Sequence, residues 1–306
     1  MKTSLLFATL LAIATPGFAA EPVANRYAAT IAPIHKFDSG VLAVEQHGSK
    51  GRPLILVPGL ASGAWAWQGV VRDLAADHVI YIVTLPGFDG RPFTAGQSFD
   101  AARAGLLALI KERKLDHPVL IGHSLGATLS FAVAEAAPDA VGGIVAIDGL
   151  PVFPGTEAMA PAGRAVMAAN IKASMAAADQ ASFAKQQQTY MRTSGVRDMA
   201  QADQLAQLSS RSDPAAAGAY IAEVLGRDLR PQLHVITAPI LVLAPYFDQD
   251  PMDARWTADA KAAYYKSLLA GAPRVQVLPV PDARHFVMFD QPQVLGAMLR
   301  TYLQAL

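Results

Sequence analysis

The apolar segments of this sequence alternate with segments of helical spacing, and this alternation limits the folds open to the chain. Segments such as VIYIVT at residues 79–84 and GIVAI at residues 143–147 are apolar at consecutive positions, not at every second one. Strands of this kind are buried on both faces, as in a parallel sheet covered by helices. The sequence therefore predicts an α/β fold, with a mostly parallel central sheet and helices on both faces.

The predicted elements extend from about residue 41 to the end of the chain. Apolar and β-branched runs predict strands at residues 41–45, 53–57, 79–84, 118–121, 143–147, 240–243 and 275–280. Helical spacing predicts helices at residues 99–113, 125–136 and 292–303.

Residues 151–232 interrupt this alternation, because they are rich in alanine and contain no convincing strand. Asp213 and Pro214 are typical of a helix start, and Gly226 of a helix end. We therefore expect a helical cap inserted between two strands of the sheet. Met167, Ile171 and Met175 follow helical spacing in this segment, and we expect them to pack helix against helix. The predicted domains are the core, 20–150 and 233–306, and the cap, 151–232.

The first residues, MKTSLLFATLLAIATPGFAA, have the pattern of a secretory signal peptide. Lys2 precedes an apolar run that is too short to span a bilayer, and Gly17-Phe18-Ala19 forms a small-x-small cleavage site. We expect residues 1–19 to be removed and the mature protein to be periplasmic or secreted. A membrane anchor is the alternative interpretation, but the later sequence predicts no stable membrane insertion.

Charge and cysteine content exclude several classes of function. The chain has 25 Lys and Arg against 25 Asp and Glu, with no dense basic cluster that would bind nucleic acid. It contains no cysteine, which excludes disulfides, thiol catalysis and thiolate metal sites. The sequence shows no cluster of ligands at metal-binding spacing and implies no metal or organic cofactor. We expect an uncharged small-molecule partner.

The motif Gly122-His123-Ser124-Leu125-Gly126 follows a predicted strand and opens a predicted helix. In that context G-x-S-x-G forms a sharp turn that holds the serine above the sheet. The flanking glycines leave room for the turn, and the first N–H groups of the helix point toward the serine. Ser124 is therefore the candidate nucleophile, with the Leu125 N–H as an oxyanion donor. We expect the His123 side chain to point away from Ser124.

A serine nucleophile needs a general base and an acid that orients it. His285 is the candidate base, because it lies in a loop between the last predicted strand and the last predicted helix. Asp248, just after the penultimate strand, is the preferred acid and gives the chain order Ser, Asp, His. Asp250, two residues later, and Asp148, at the end of the strand GGIVAI, remain alternatives.

These motifs together resemble the α/β-hydrolase superfamily, in its lidded serine esterase and lipase-like branch. The similar segments are LILVPGLASGAWAW, TLPGFDGRP, GHSLG, PILVLAPYFDQD and PDARHFVMFDQP. The resemblance implies that the Leu60 N–H is the second oxyanion donor. Two segments depart from the family pattern. Pro58-Gly59 replaces the frequent His-Gly, and Pro245-Tyr246-Phe247 replaces small and polar residues before the acid.

The serine at the elbow favours acyl transfer to water over the chemistry of family members that have an aspartate there. We expect an exported hydrolase of a small to medium, mainly uncharged carboxylic ester or lactone, acting through an acyl-enzyme on Ser124. An amide-bond hydrolase or a cofactor-free perhydrolase with the same triad are alternatives, and a non-catalytic ligand-binding protein is a remote one. Trp65 and Trp67 are expected either to line the acyl pocket or to pack under the cap.

Overall fold

The computed structural model describes residues 30–94, 96–250 and 253–306. The predicted signal peptide lies outside these described residues. No helix within them is long and apolar enough to cross a bilayer.

Eight strands of the described residues form one sheet, in the order β1-β2-β4-β3-β5-β6-β7-β8. The pairs β1/β2 and β2/β4 are antiparallel, and all the other neighbouring strands are parallel. This arrangement confirms the predicted α/β sheet. The strands are β1 (His35–Ser39), β2 (Leu42–His47), β3 (Pro53–Val57), β4 (Val79–Thr84), β5 (Val119–His123), β6 (Gly143–Ile147), β7 (Ile240–Tyr246) and β8 (Val275–Pro281).

The strand that the sequence did not predict is β1, with the sequence HKFDS. It lies at the edge of the sheet, and its first two residues, His35 and Lys36, are exposed. Only Ser39 and, in part, Phe37 are buried along this strand, so its sequence has no apolar run and no apolar alternation. The strand is therefore recognised by its pairing with β2, and that pairing exists only in the folded chain.

Helices cover both faces of the sheet, so that successive side chains of a strand enter different cores. In β3, Leu54 and Leu56 pack in one core, whereas Ile55 and Val57 pack in the other. The helices outside the cap are α1 (Gln68–Leu74), α2 (Phe99–Glu112), α3 (Leu125–Ala136), α8 (Ala258–Ser267), α9 (Val287–Asp290) and α10 (Pro292–Gln304).

The predicted helical cap is present between β6 and β7. It contains α4 (Pro161–Ala176), α5 (Gln180–Tyr190), a π-helical turn (Met191–Gly195), α6 (Met199–Ser209) and α7 (Pro214–Gly226). An isolated β-bridge between Val152 and Asp228 joins the chain where it enters and leaves the cap. The carboxylate of Asp213 accepts hydrogen bonds from the N–H groups of Ala215 and Ala216, at 2.7 and 3.1 Å, and so caps α7.

Apolar contacts within the cap and against both cores of the sheet hold the cap in place. Met167 and Ile171 of α4 pack against Ala222 and Leu225 of α7, which is the helix-on-helix role expected for them. On the other side, residues of the π-helical turn, of the segment after it and of α6 join the core that contains Trp65 and Trp67. These residues are Met191, Val196, Ala202, Leu205, Ala206 and Leu208.

We predict that Gly126 is essential for the packing of α3 against the sheet. A Cβ atom there would overlap the carbonyl oxygen of Val57 and lie 2.7 Å from that of Pro58. Gly126→Ala is therefore expected to lower the free energy of unfolding by about 1–3 kcal/mol or more. Gly226→Ala is the control, since no heavy atom lies within 4 Å of a Cβ at that position. Denaturant unfolding of both variants is the measurement, and equal stability of the two would contradict the prediction.

Candidate active site

Ser124 occupies the turn between β5 and α3, with backbone angles φ 53° and ψ −120°. Positive φ is uncommon for a residue with a side chain, and such strain persists only where the surrounding structure enforces it. Here the Ser124 N–H donates a hydrogen bond of 2.9 Å to the carbonyl of Ile147, the last residue of β6. The elbow expected from the motif is therefore present, and it is fastened to the neighbouring strand.

Glycines allow the chain to approach this turn from two sides. A Cβ on Gly122 would overlap the backbone of Gly126 and Ala127, so the turn itself closes only around glycine. A Cβ on Gly59 would lie 2.6 Å from Nδ1 of His123 and 3.2 Å from Cβ of Ser124. The loop after β3 therefore passes directly against the elbow.

This close approach brings Leu60 and Leu125 to the same cavity as Ser124. Within the described chain, neither backbone N–H donates a hydrogen bond to a protein acceptor. Leu125 is the first residue of α3, where the helix leaves N–H groups without partners. Both N–H groups are therefore available to an oxyanion near Ser124, as the sequence and the resemblance imply.

His285 reaches the elbow from the loop after β8, and its Nδ1 lies 2.5 Å from Oδ2 of Asp148. The other oxygen of that carboxylate, Oδ1, accepts a hydrogen bond of 2.6 Å from the Tyr265 hydroxyl. Burial opposes ionisation of Asp148, but the charge and hydrogen bond of His285 outweigh it and lower the pKa of Asp148 to about 2. Asp148 is therefore an ionised carboxylate with a partner on each oxygen.

The preferred assignment of Asp248 as the partner of His285 needs correction, because the structure places Asp148 there. Asp248 is exposed on the loop after β7. The alternative Asp250 is buried, and its Oδ2 lies 3.3 Å from Nε of Arg284. The physical reason is the position of the two carboxylates: Asp148 directly follows β6, the strand that pairs with β5 beside Ser124, whereas Asp248 lies on an exposed loop. Asp148 also precedes His285 in the chain, so the expected order Ser, Asp, His holds for it as well.

His123 was missed as a structural support of the site. Its side chain is fully buried, with Nε2 3.0 Å from the carbonyl oxygen of His285 and its ring centroid 4.6 Å from that of Phe286. Burial, and then the nearby charge of His285, lower the pKa of His123 to about 3. A neutral His123 can donate its Nε2–H to the His285 carbonyl and hold that loop. A lone histidine inside the motif gave no sequence signal for this contact.

The main cavity beside Ser124 has a volume of about 540 Å³. Its charged or titratable lining side chains, among the described residues, are Asp148, His285, His123 and the phenols of Tyr190 and Tyr265. Gln186 and Gln187 of the cap add two neutral amides. The remaining wall is largely apolar: Leu60, Leu125, Leu150, Val152, Phe153, Pro154, Met191, Ile221, Val224 and Phe286.

Trp65 and Trp67 take the packing role of the two that the sequence left open. Both are buried in the core shared by the sheet and the cap. Trp65 stacks on Phe286 and Phe289, with ring centroids 6.4 and 6.1 Å apart. Phe286 directly follows His285, so Trp65 supports the histidine loop and does not itself line the cavity.

Comparison with known proteins agrees with the fold of this chain. Residues 54–297 match the family model described as the alpha/beta hydrolase family. Two solved esterases superimpose on most of the chain. That of Thermogutta terrifontis, with malate bound, has a TM-score of 0.71 at 19% identity and covers 89% of this chain and 98% of its own. That of Exiguobacterium antarcticum has a TM-score of 0.70 at 15% identity and covers 89% and 100%. At these identities the likeness shows the fold.

Curated relatives match a shorter part of the chain. The pimeloyl-[acyl-carrier protein] methyl ester esterase of Aeromonas salmonicida is 27% identical over 113 residues, which is 37% of this chain and 43% of that protein. Esterase YbfF of Escherichia coli is 30% identical over 110 residues, 36% of this chain and 42% of that protein. N-formylmaleamate deformylase of Pseudomonas putida is 35% identical over 98 residues, 30% and 36% respectively. The chain therefore spans about two fifths of the length of the curated relatives it matches.

We predict that His123 stays neutral from pH 8 down to about pH 4. Its folded pKa of about 3 lies below the ordinary value of 6.5, so the unfolded chain binds the extra proton first as the pH falls. As the pH falls between these two values, the free energy of unfolding therefore decreases. The contribution of His123 to this decrease is at most about 1.4 kcal/mol per pH unit.

Heteronuclear NMR of the imidazole nitrogens tests this, with His123→Gln used to assign the signal. A titration midpoint near the ordinary histidine value would contradict the prediction. The same variant should lose less stability than the wild type when the pH is lowered from neutral to about 4.

Proposed function

Because the chain belongs to the alpha/beta hydrolase family, we propose that it is a serine hydrolase with Ser124 as nucleophile, His285 as base and Asp148 as orienting acid. The family-model match over residues 54–297 confirms the superfamily that the motifs led us to expect. The observation that carries the proposal is the His285–Asp148 contact of 2.5 Å at a cavity whose wall also contains the strained Ser124. A carboxylate that binds one imidazole nitrogen leaves the other free to take a proton from serine.

The proposed reaction has two halves. Ser124 Oγ attacks the carbonyl carbon of the substrate while Nε2 of His285 accepts the hydroxyl proton. The oxyanion forms near the N–H groups of Leu60 and Leu125, which stabilise it. The tetrahedral intermediate then expels the alcohol, which takes the proton from His285 and leaves an acyl group on Ser124. Water attacks this acyl-enzyme with His285 as base, and the acid product is released with Ser124 restored.

Asp148 has two tasks in this scheme. Its Oδ2 accepts a hydrogen bond from Nδ1–H of His285, which fixes the imidazole tautomer that has a free Nε2. Its negative charge also stabilises the imidazolium that forms during each half of the reaction. Ionisation of Asp148 is maintained well below neutral pH, because its pKa is lowered to about 2.

The lining of the main cavity supports a small to medium, mainly uncharged ester or lactone as substrate. The wall is largely apolar, and neither Lys nor Arg occurs among its described lining residues. Asp148 contributes a negative charge close to the reacting atoms. A carboxylate on the acyl chain would therefore be repelled and would lose its hydration without gaining a cationic partner.

Amide-bond hydrolysis by the same residues is the second candidate. N-formylmaleamate deformylase, by its name an enzyme that removes a formyl group, is among the similar proteins. The two reactions share the acyl-enzyme and differ in the leaving group, because an amine must be protonated by His285 before it departs.

We also propose that the protein is exported. The support is the sequence of residues 1–19, with its charged start, short apolar run and small residues before the cleavage site. Amino-terminal sequencing of the protein recovered from the periplasm or medium should begin at Ala20. Recovery of the uncleaved chain in the cell membrane would favour an anchor instead.

We predict that the wild type cleaves p-nitrophenyl esters and that Ser124→Ala abolishes this turnover. Acetate, butyrate, octanoate and laurate esters should give a maximum of kcat/KM at an intermediate length, because the cavity has a limited volume and a largely apolar wall. The Ser124→Ala variant should lose about 10⁴-fold or more in kcat, as serine hydrolases do without their nucleophile.

Three further probes separate the candidates. A fluorophosphonate should label the wild type on Ser124 and leave Ser124→Ala unlabelled. An ester with a terminal carboxylate on the acyl chain should have a lower kcat/KM than the neutral ester of equal length. Faster cleavage of p-nitroanilides than of the matching esters would select the amide reaction, and full ester turnover by Ser124→Ala would refute the assignment of the nucleophile.

A further inference from the structure

The carboxylate of Asp148 is held from two opposite sides, and one of the two contacts has no part in the proposed reaction. His285 contacts Oδ2 at 2.5 Å, and the Tyr265 hydroxyl donates to Oδ1 at 2.6 Å. Tyr265 belongs to α8, which follows the loop where the acid was first expected. It is 6% exposed, so this hydrogen bond forms in a site with little access to water.

We propose that Tyr265 is a positioning residue, which fixes the Asp148 carboxylate and through it sets the orientation and basicity of His285. The inference rests on the proposed function and extends the Ser124–His285–Asp148 set by a fourth member. Asp148 cannot be oriented by His285 alone, since a carboxylate turns easily about its last torsion. A second hydrogen bond to the opposite oxygen removes that freedom and prepares the acid before substrate binds.

Electrostatics make Tyr265 suited to this task. Burial, and then the negative charge of Asp148, raise the pKa of Tyr265 well above its usual value. The phenol therefore stays protonated and acts as a donor across the working pH range. By donating to Oδ1 it withdraws part of the negative charge that Asp148 presents to His285. Removal of the hydroxyl should leave Asp148 more negative toward the imidazole and His285 more basic.

Helix α8 holds Tyr265 rigidly. Thr257 caps the helix, accepting a hydrogen bond of 3.1 Å from the Ala260 N–H. One turn before Tyr265, Lys261 pairs with Asp253, whose Oδ1 lies 2.8 Å from Nζ. Lys261 Nζ also lies 6.0 Å from the centre of the Tyr265 ring. The hydroxyl thus reaches Asp148 from an element that is anchored independently of the histidine loop.

Other titratable or charged groups surround the His285–Asp148 pair and are unchanged when only the Tyr265 hydroxyl is removed. They come from the elbow, the cap, the loop after β7, α8 and the histidine loop. These groups are His123, Tyr190, Asp250, Asp253, Lys261 and Arg284. A shift caused by Tyr265→Phe can therefore be assigned to the lost hydrogen bond.

The neighbouring residue provides a matched control. Tyr264 lies on the same helix, and its hydroxyl donates to Oε1 of Glu157 at 2.9 Å. That hydroxyl also accepts a hydrogen bond of 3.2 Å from the Gly155 N–H, and its ring stacks on Trp256. Tyr264→Phe thus removes the same atom from the same helix, at a site where the hydroxyl does not contact Asp148.

The experiment compares the wild type, Tyr265→Phe and Tyr264→Phe with a p-nitrophenyl ester that the wild type cleaves. The measured quantities are kcat, KM and the pH profile of kcat/KM. Tyr265→Phe should lower kcat by about ten- to a hundredfold with little change in KM, because one oxygen of a buried carboxylate loses its partner. The acid limb of kcat/KM should move to higher pH. Tyr264→Phe should keep the wild-type kcat and profile.

The pH profile decides between positioning and mere packing. A fall in kcat without an upward shift of the acid limb would overturn the proposal, as would wild-type behaviour of Tyr265→Phe. Denaturant unfolding of both variants checks that a loss is not caused by misfolding. If Tyr265→Phe fails to fold, the shift can be sought in Tyr265→Leu, which also lacks a donor. A folded Tyr265→Leu variant without an upward shift of the acid limb would also contradict the proposal.

Failure of the proposed function can be distinguished from failure of this inference. The rate of fluorophosphonate labelling of Ser124 reports the nucleophile without any assumption about the substrate. If the wild type is labelled and Tyr265→Phe is labelled equally fast at every pH, only the role of Tyr265 fails. If the wild type is neither labelled nor active on any ester or anilide, the proposed function itself fails.

Discussion

The candidate site depends on the pairing of β5 with β6, in which His123 lies opposite Ile147. Each of these strands ends at that point, and each is followed by a residue with positive φ, Ser124 in one and Asp148 in the other. The hydrogen bond from the Ser124 N–H to the Ile147 carbonyl locks the two strand ends together. The proposed nucleophile and the proposed acid are therefore set side by side by the backbone of the sheet, before any side chain contributes.

The remaining parts of the site are brought to this pair by elements that are distant in the chain. The loop after β3 approaches because Gly59 has no side chain, and it delivers Leu60. The histidine loop is supported by His123 and by the ring of Trp65, and it delivers His285. Helix α8 delivers the hydroxyl of Tyr265 to the oxygen of Asp148 that His285 leaves free. The buried negative charge of Asp148 is tolerated because both of its oxygens have donors.

The strands from β2 to β8, the cap and the elbow at Ser124 could be predicted from the sequence, because each of these has a local signal. Strand runs without alternation, a strand-to-helix turn between glycines and a helix start at Asp213-Pro214 need only near neighbours to be recognised. The acid could not be chosen from local signals, because Asp148, Asp248 and Asp250 all follow strands of the same sheet. Which one meets His285 depends on the course of the loop after β7, which leaves Asp248 exposed and places Asp250 beside Arg284, and the local sequence does not show this. The edge strand β1 and the contacts of His123, Trp65 and Tyr265 escaped prediction for the same reason.

The most direct test of this account compares Asp148→Asn with Asp248→Asn in ester hydrolysis. Each change removes one negative charge. The structure favours Asp148 as the acid, whereas the sequence pattern favours Asp248. We expect Asp148→Asn to lower kcat by about 10⁴-fold, as loss of the acid does in a serine triad, and Asp248→Asn to retain the wild-type rate. A large loss in Asp248→Asn together with near-normal turnover by Asp148→Asn would contradict the account.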